Sequence, residues 1–175
     1  MIGAQKLASV SRSTPSMAEA LPDLPMPPTV MVRLIRILAA NLTGYFEPVF
    51  RKAGLSENIF HVLCLLMAAE NGEASPGELT GLVGTSKANM TRILDQLVGE
   101  ELVSRAADAM DARRLVIRIT PHGRQVACAT VPKMMGPLQQ AFAGLTPEEF
   151  ESLGRLMQKA ILSLDKGNFP LPGHE

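Results

Sequence analysis

Apolar residues in the first third of the chain recur at three- and four-residue steps. Met31, Leu34, Ile35, Leu38, Leu42, Tyr45, Phe46 and Val49 fall at i, i+3, i+4 and i+7 positions, which predicts a long amphipathic helix. Thr29 is placed to cap it, Pro48 to bend its end, and Gly54 to stop it. Ser56 then caps a second helix, "SENIFHVLCLLMAAE", which closes near Asn71-Gly72. In "SPGELTGLV", Ser75 at the N-cap, Pro76 at the first helical position and Glu78 at the third form a capping box. That helix is short, and a tight turn, "VGTS", leads into the next one.

At 100° per residue, Met90, Ile93, Leu94, Leu97 and Val98 of this next helix form one apolar stripe. Ala88, Arg92 and Asp95 lie opposite, flanked by Asn89, Thr91 and Gln96, with Lys87 near the helix start. The outward N-terminal half is therefore small, basic and able both to donate and to accept hydrogen bonds. Ala88 and Ser86 let a backbone approach the bases of a major groove. Arg92 suits guanine and Asn89 suits adenine. Ser86, Lys87 and the free N–H groups of the first turn suit phosphates. The same face also fits an ordinary solvated surface helix. The capped helix and tight turn before it favour a helix-turn-helix.

Beyond it, "ELVSRAA" and "RRLVIRIT" read as strands, the second with Leu115, Ile117 and Ile119 alternating against Val116 and Arg118. Two strands do not make an independent sheet, so they read as a wing beside the short helical pair. Arg105 ends the first strand, and Asp111, Arg113 and Arg114 lie at the turn into the second. An arginine on a projecting ribbon can enter the narrow minor groove, held by an aspartate two residues earlier. A plain surface ion pair is the alternative. Thr120-Pro121 starts a further helix, interrupted by Pro132 and Pro137. Thr146 and Glu149 make a second capping box, opening an amphipathic helix with Phe150, Leu153, Leu156, Met157, Ile161 and Leu164.

The predicted fold is mainly α, a winged helix-turn-helix with about six helices and a wing of two or three strands. Residues 1–28 read as a flexible Pro/Ser-rich arm, within which Met17 is an alternative start. A long helix at 29–55, a winged lobe at 56–119, closing helices at 120–165 and a tail at 166–175 follow.

Composition supports helices: aromatics are scarce, Trp is absent, and there are 10 Met. With 17 basic and 17 acidic residues the net charge is zero, which neither points to nucleic acid nor excludes it. Cys64 and Cys128 are far apart and argue for reduced thiols rather than a disulfide framework. The three histidines are too widely spaced for a metal motif, so no metal or cofactor is expected. No membrane-length apolar run and no secretory h-region is present, which points to the cytoplasm. Paired catalytic carboxylates, a nucleophile elbow and a phosphate loop are all missing, so an enzyme is not expected.

The stretches "SPGELTGLVGTSKANMTRILDQLVGEELVSR", "DAMDARRLVIRITPHG" and "LTPEEFESLGRLM" resemble the MarR family of bacterial transcriptional regulators, over roughly residues 30–165. The N-terminal extension and "LSENIFHVLCLL" look more like its branch of multidrug-efflux repressors. The resemblance implies a homodimer whose first and last helices are the dimerisation helices. Its two winged domains would read a pseudo-palindromic double-stranded DNA operator. By this likeness Ser86, Lys87, Asn89, Thr91 and Arg92 match the recognition helix, and Asp111 and Arg113 the wing's Asp-x-Arg. Ala112 and Ala106 depart from it, standing where many relatives carry basic residues. Family ligands commonly sit between the dimerisation helices and the DNA-binding lobe. Tyr45, Phe46, Arg51 and His61 are the candidate contacts for a small apolar or phenolic effector, with core or surface packing as their alternative role. The expected function is thus a ligand-released, DNA-binding repressor. A winged-helix module that binds protein instead of DNA is the competing expectation.

Overall fold

The computed structural model describes residues 3–107 and 114–165. Seven α-helices and a small three-stranded sheet are found among them. Two compact units divide at residue 137, inside the sixth helix.

The first unit opens with a helical hairpin. Helix α1 (Gly3–Ala20) lies against α2 (Met26–Ala53). Lys6 Nζ donates to Asn41 Oδ1, and Arg33 Nη2 donates to Ser13 Oγ at 2.8 Å, so the two helices run antiparallel. Val10 is buried. The stretch expected to form a flexible arm is therefore mostly a helix. Its apolar residues are too few to announce a stripe, and a neighbouring helix supplies the missing stabilisation. α2 also begins earlier than expected. Pro27 and Pro28 fit its first turn, where backbone N–H groups have no helical partner anyway. Thr29 is consequently inside the helix rather than at its cap, and its hydroxyl donates to the Pro25 carbonyl at 2.9 Å. Gly54 ends α2 at φ 76°.

The winged lobe follows as α3 (Glu57–Ala68), β1 (Glu73–Ala74), α4 (Pro76–Val83), α5 (Lys87–Gly99), β2 (Val103–Ala107) and β3 (Leu115–Ile119). The strand order is β1-β3-β2, antiparallel throughout, with Glu73 opposite Arg118 and Arg105 opposite Ile117. β1 is the third strand of the wing. At two residues long it carries no period of its own, and only pairing 45 residues away makes it a strand. Ile59, Leu63, Leu66, Leu79, Met90, Leu97 and Ile117 are fully buried at the centre of one apolar core. The alternation on β3 breaks at its outer end, where Leu115 is exposed and Val116 buried.

Helix α6 (Pro121–Ala141) packs through its first turn against Leu102, just before β2, and Ile119 at the end of β3. Thr120 N donates to the Leu102 carbonyl at 3.0 Å, and Thr120 Oγ1 accepts from Gly123 N at 2.9 Å. Pro132 and Pro137 were expected to interrupt this helix but lie within it. Each proline withholds one ladder hydrogen bond, and the surrounding turns carry the helix through.

The second unit holds α7 (Pro147–Asp165), capped by Thr146 and Glu149 in the expected reciprocal pattern. Phe142 and Phe150 meet edge to face at 5.4 Å. Along α7, Phe150, Leu156, Met157, Ile161 and Leu164 are all largely exposed in the single chain. Among the described residues no helix is long and apolar enough to cross a membrane.

The capping box of α4 is complete: Ser75 N donates to Glu78 Oε2 at 2.7 Å and Glu78 N to Ser75 Oγ at 3.2 Å. Ser75→Ala should lower stability by about 1 kcal/mol, read as a shift in urea midpoint at constant slope. The Ser75 N–H also holds the Glu78 carboxyl below the usual glutamate range. Its contribution is present above that range and is lost as pH falls through the lowered value, so acid loosens the start of α4.

Candidate nucleic-acid interface

Ser75 fixes the start of α4, and Gly84, at φ 68°, ends it after two turns. The Gly84 N–H returns to the Thr80 and Gly81 carbonyls, which turns the chain sharply into α5. Ser86 caps α5 by accepting from Asn89 N at 3.2 Å. Behind the helix, Met90, Ile93, Leu94 and Leu97 are buried as the stripe requires.

In front, Ser86, Lys87, Ala88, Thr91 and Arg92 are exposed and Asn89 is half-buried. All six expected recognition-helix residues therefore lie at the cap and in the first two turns of α5, none of them fully buried. Asn89 is tied at both ends of its amide. Its Nδ2 donates to Thr85 Oγ1 at 2.7 Å, and its Oδ1 accepts from Arg92 Nη2 at 3.4 Å. Thr91 Oγ1 donates back to the Lys87 carbonyl at 3.0 Å. Thr85, half of the hydroxyl pair "TS" before the helix, is not among the expected DNA contacts, yet it orients Asn89.

The wing residues divide. Arg105 does not project freely, because its Nη2 is held by Asp95 Oδ1 of α5. Such an exposed pair is worth about 1 kcal/mol or less to the fold. Arg114 lies near Glu78 at the start of α4, and both line a shallow cleft with Glu73 and Asn71. Arg118, on the outer face of β3, is paired with Glu73 at 2.7 Å. Asp111 and Arg113 lie outside the described residues.

The four candidate effector contacts do not converge. Tyr45 is partly exposed and its hydroxyl donates to the Pro137 carbonyl at 3.2 Å. Phe46 is buried in a row of rings running through Phe50 to Phe60. Arg51 is exposed, with Glu47 at 3.8 Å. It alone of the four lines a cleft of about 680 Å³ whose walls include Phe50, Leu55, Asn58 and Gln96. His61 is exposed rather than part of the core. Burial pushes the half-buried Cys64 thiol up from its ordinary range.

The profile described as the MarR family matches residues 55–115, from the start of the α3 cap to the first residue of β3. The transcriptional repressor MprA of Escherichia coli (strain K12) is 26% identical over 144 residues, covering 82% of each chain. A MarR family transcriptional regulator from Streptomyces coelicolor, solved in complex with DNA, superposes with a TM-score of 0.72 at 23% identity. That match covers 81% of this chain and 93% of the other. Bordetella bronchiseptica BpsR, whose DNA binding is regulated by 6-hydroxynicotinic acid, gives a TM-score of 0.66 at 24% identity. It covers 73% of this chain and 89% of that one.

Proposed function

We propose that this chain, which belongs to the MarR family of winged-helix proteins, is a DNA-binding transcriptional regulator that acts as a repressor. The observation that carries this reading is the face of α5. Small and basic residues occupy its exposed N-terminal half directly after a capped two-turn helix, while its opposite stripe closes the core. In this reading Ala88 permits close approach, Arg92 and Asn89 meet base edges, and Ser86, Lys87 and Thr91 meet phosphates. Arg113 and Arg114 follow the adjacent minor groove. Arg105 is a weaker candidate than the sequence suggested, being committed to Asp95.

Two copies, joined through the exposed apolar faces of the terminal helices, would present two such heads to half-sites about one helical turn apart. The regulator works in the cytoplasm, and a small apolar or phenolic molecule releases it from its operator. The cleft at Arg51 and Phe50, beside the joint between α2 and α3, supports that step. A bound molecule there would alter the angle between the dimer helices and the reading head. To shift occupancy from mostly bound to mostly free, the ligand must favour the released state by about 5.5 kcal/mol.

The test is fluorescence anisotropy with duplex DNA from the region upstream of the gene, at two salt concentrations. Selective binding that weakens steeply with salt is expected. A folded dimer that binds no such duplex would instead favour a winged helix that docks on protein. Arg92→Ala should reduce discrimination between operator variants by about 1–3 kcal/mol, measured by competition between duplexes differing at one base pair.

A further inference from the structure

Residues 56–119 carry nine acidic and six basic side chains, so the lobe that reads DNA is net acidic. A duplex presents one negative charge per ~1.7 Å of its axis. Binding must therefore depend on where the few cations point and on what already holds them. Three arginines of the wing have carboxylates beside them: Arg105 with Asp95, Arg118 with Glu73, and Arg114 near Glu78.

The Asp95 pair differs from the others in its position. Asp95 lies on α5, one turn beyond Arg92, on the side of the helix opposite the buried stripe. Its carboxylate reaches across to β2 and takes the Arg105 guanidinium at 2.5 Å. Both side chains are well exposed, at 58% and 40%, so the pair does little for folding. An acidic group on the outward face of a DNA-reading helix repels phosphate. It also occupies a cation that stands beside that helix.

We propose that Asp95 is a specificity-determining residue, which withholds Arg105 from DNA phosphates and so suppresses binding to non-operator sequences. This rests on the DNA-binding reading above. Phosphate contacts strengthen binding to every sequence alike, whereas base contacts strengthen it only at the operator. A protein that neutralises its spare arginines internally gives up general affinity and keeps discrimination. Arg105 would thus be a restrained cation rather than a contact.

The experiment compares wild type, Asp95→Asn, Arg105→Gln and the double variant. Each is titrated by anisotropy against an upstream operator duplex and a random-sequence duplex of equal length, over a series of salt concentrations. Asp95→Asn keeps the shape of the side chain and should leave the melting temperature unchanged. It should tighten random-duplex binding by roughly three- to tenfold near 0.1 M salt and steepen the salt slope by about 0.9, one phosphate's worth. The operator-to-random ratio should fall. In the Arg105→Gln background the same change should have little effect. Weaker binding by Asp95→Asn would overturn the proposal, since Asp95 would then be aiming Arg105 at DNA. An equal gain in both backgrounds would also overturn it, because simple repulsion by Asp95 would suffice. If the wild type binds neither duplex, the DNA reading itself fails, a result separable from either of these.

Discussion

Gly123→Ala is expected to cost about 3 kcal/mol of stability or more, one of the largest effects of any single-methyl change in this chain. A Cβ at this position would fall within the contact distance of the Leu102 carbonyl oxygen and lie 3.0 Å from Ile119 Cγ1. The obstacle is backbone, so no side-chain rotation relieves it. The same carbonyl accepts from Thr120 N, and the Gly123 N–H is itself bound to Thr120 Oγ1. Moving α6 outward to admit the methyl would therefore break the cap of that helix and its seat on Leu102 and Ile119 together. Against a total stability of roughly 5–15 kcal/mol, such a loss unfolds an appreciable fraction of the protein. Urea unfolding followed by circular dichroism measures it. A change below about 1 kcal/mol would mean that α6 sits more loosely on the sheet than described. Gly136→Ala, in the same helix with open space around it, is the matched control.

The second large effect concerns association. Ile161→Asp should convert the protein to a monomer and weaken operator binding by about 10²–10⁴-fold. Each head would then bind alone, without the effective concentration its partner supplies. Ile161 is 57% exposed in the single chain, so the substitution strains nothing within one copy. Its cost arises only when a second copy buries the charge. Light scattering after size-exclusion chromatography, beside the anisotropy titration, reads both quantities. Lys159→Asp, on the polar side of α7, should change neither, and a dimer that persists in Ile161→Asp with full affinity would remove α7 from the interface.

What is legible in this sequence is local. The capping box of α4, the glycine that ends α4 and the apolar stripe of α5 each declare themselves within four to twelve residues, and together they define the helix-turn-helix. Ala88, Asn89, Thr91 and Arg92 lie off that stripe for the same reason, since helical period alone decides it, while Ser86 and Lys87 are exposed because they sit at the helix start. What the sequence hides is set by partners far along the chain. α1 is polar and contains Pro15, and it is ordered against α2 by Asn41 and Arg33. β1 exists only because β3 pairs with it. The fate of Arg105 depends on Asp95, which lies ten residues before it and on another element. Tyr45, Phe46 and Arg51 lie on α2 and His61 on α3, and burial separates them into a core ring, an exposed cation, an exposed imidazole and a phenol bound to backbone. Periodicity predicts which face a residue occupies. It does not predict which groups from other elements meet it there.

Pairing of β3 with β1 on one edge and β2 on the other has a mechanical consequence. The chain from Glu73 to Ile119 is closed by hydrogen bonds at both ends, with α4 and α5 inside the loop. Such a ring resists shear within the winged lobe, which is joined to α2 through Gly54 at φ 76°. α5 alone is roughly 20 Å long, and a 10° turn moves a point that far from the pivot by about 3.5 Å. That stroke is close to the ~3.4 Å rise of one base pair. A 10° tilt of α5 about one of its ends would thus displace the other end by about one base-pair step.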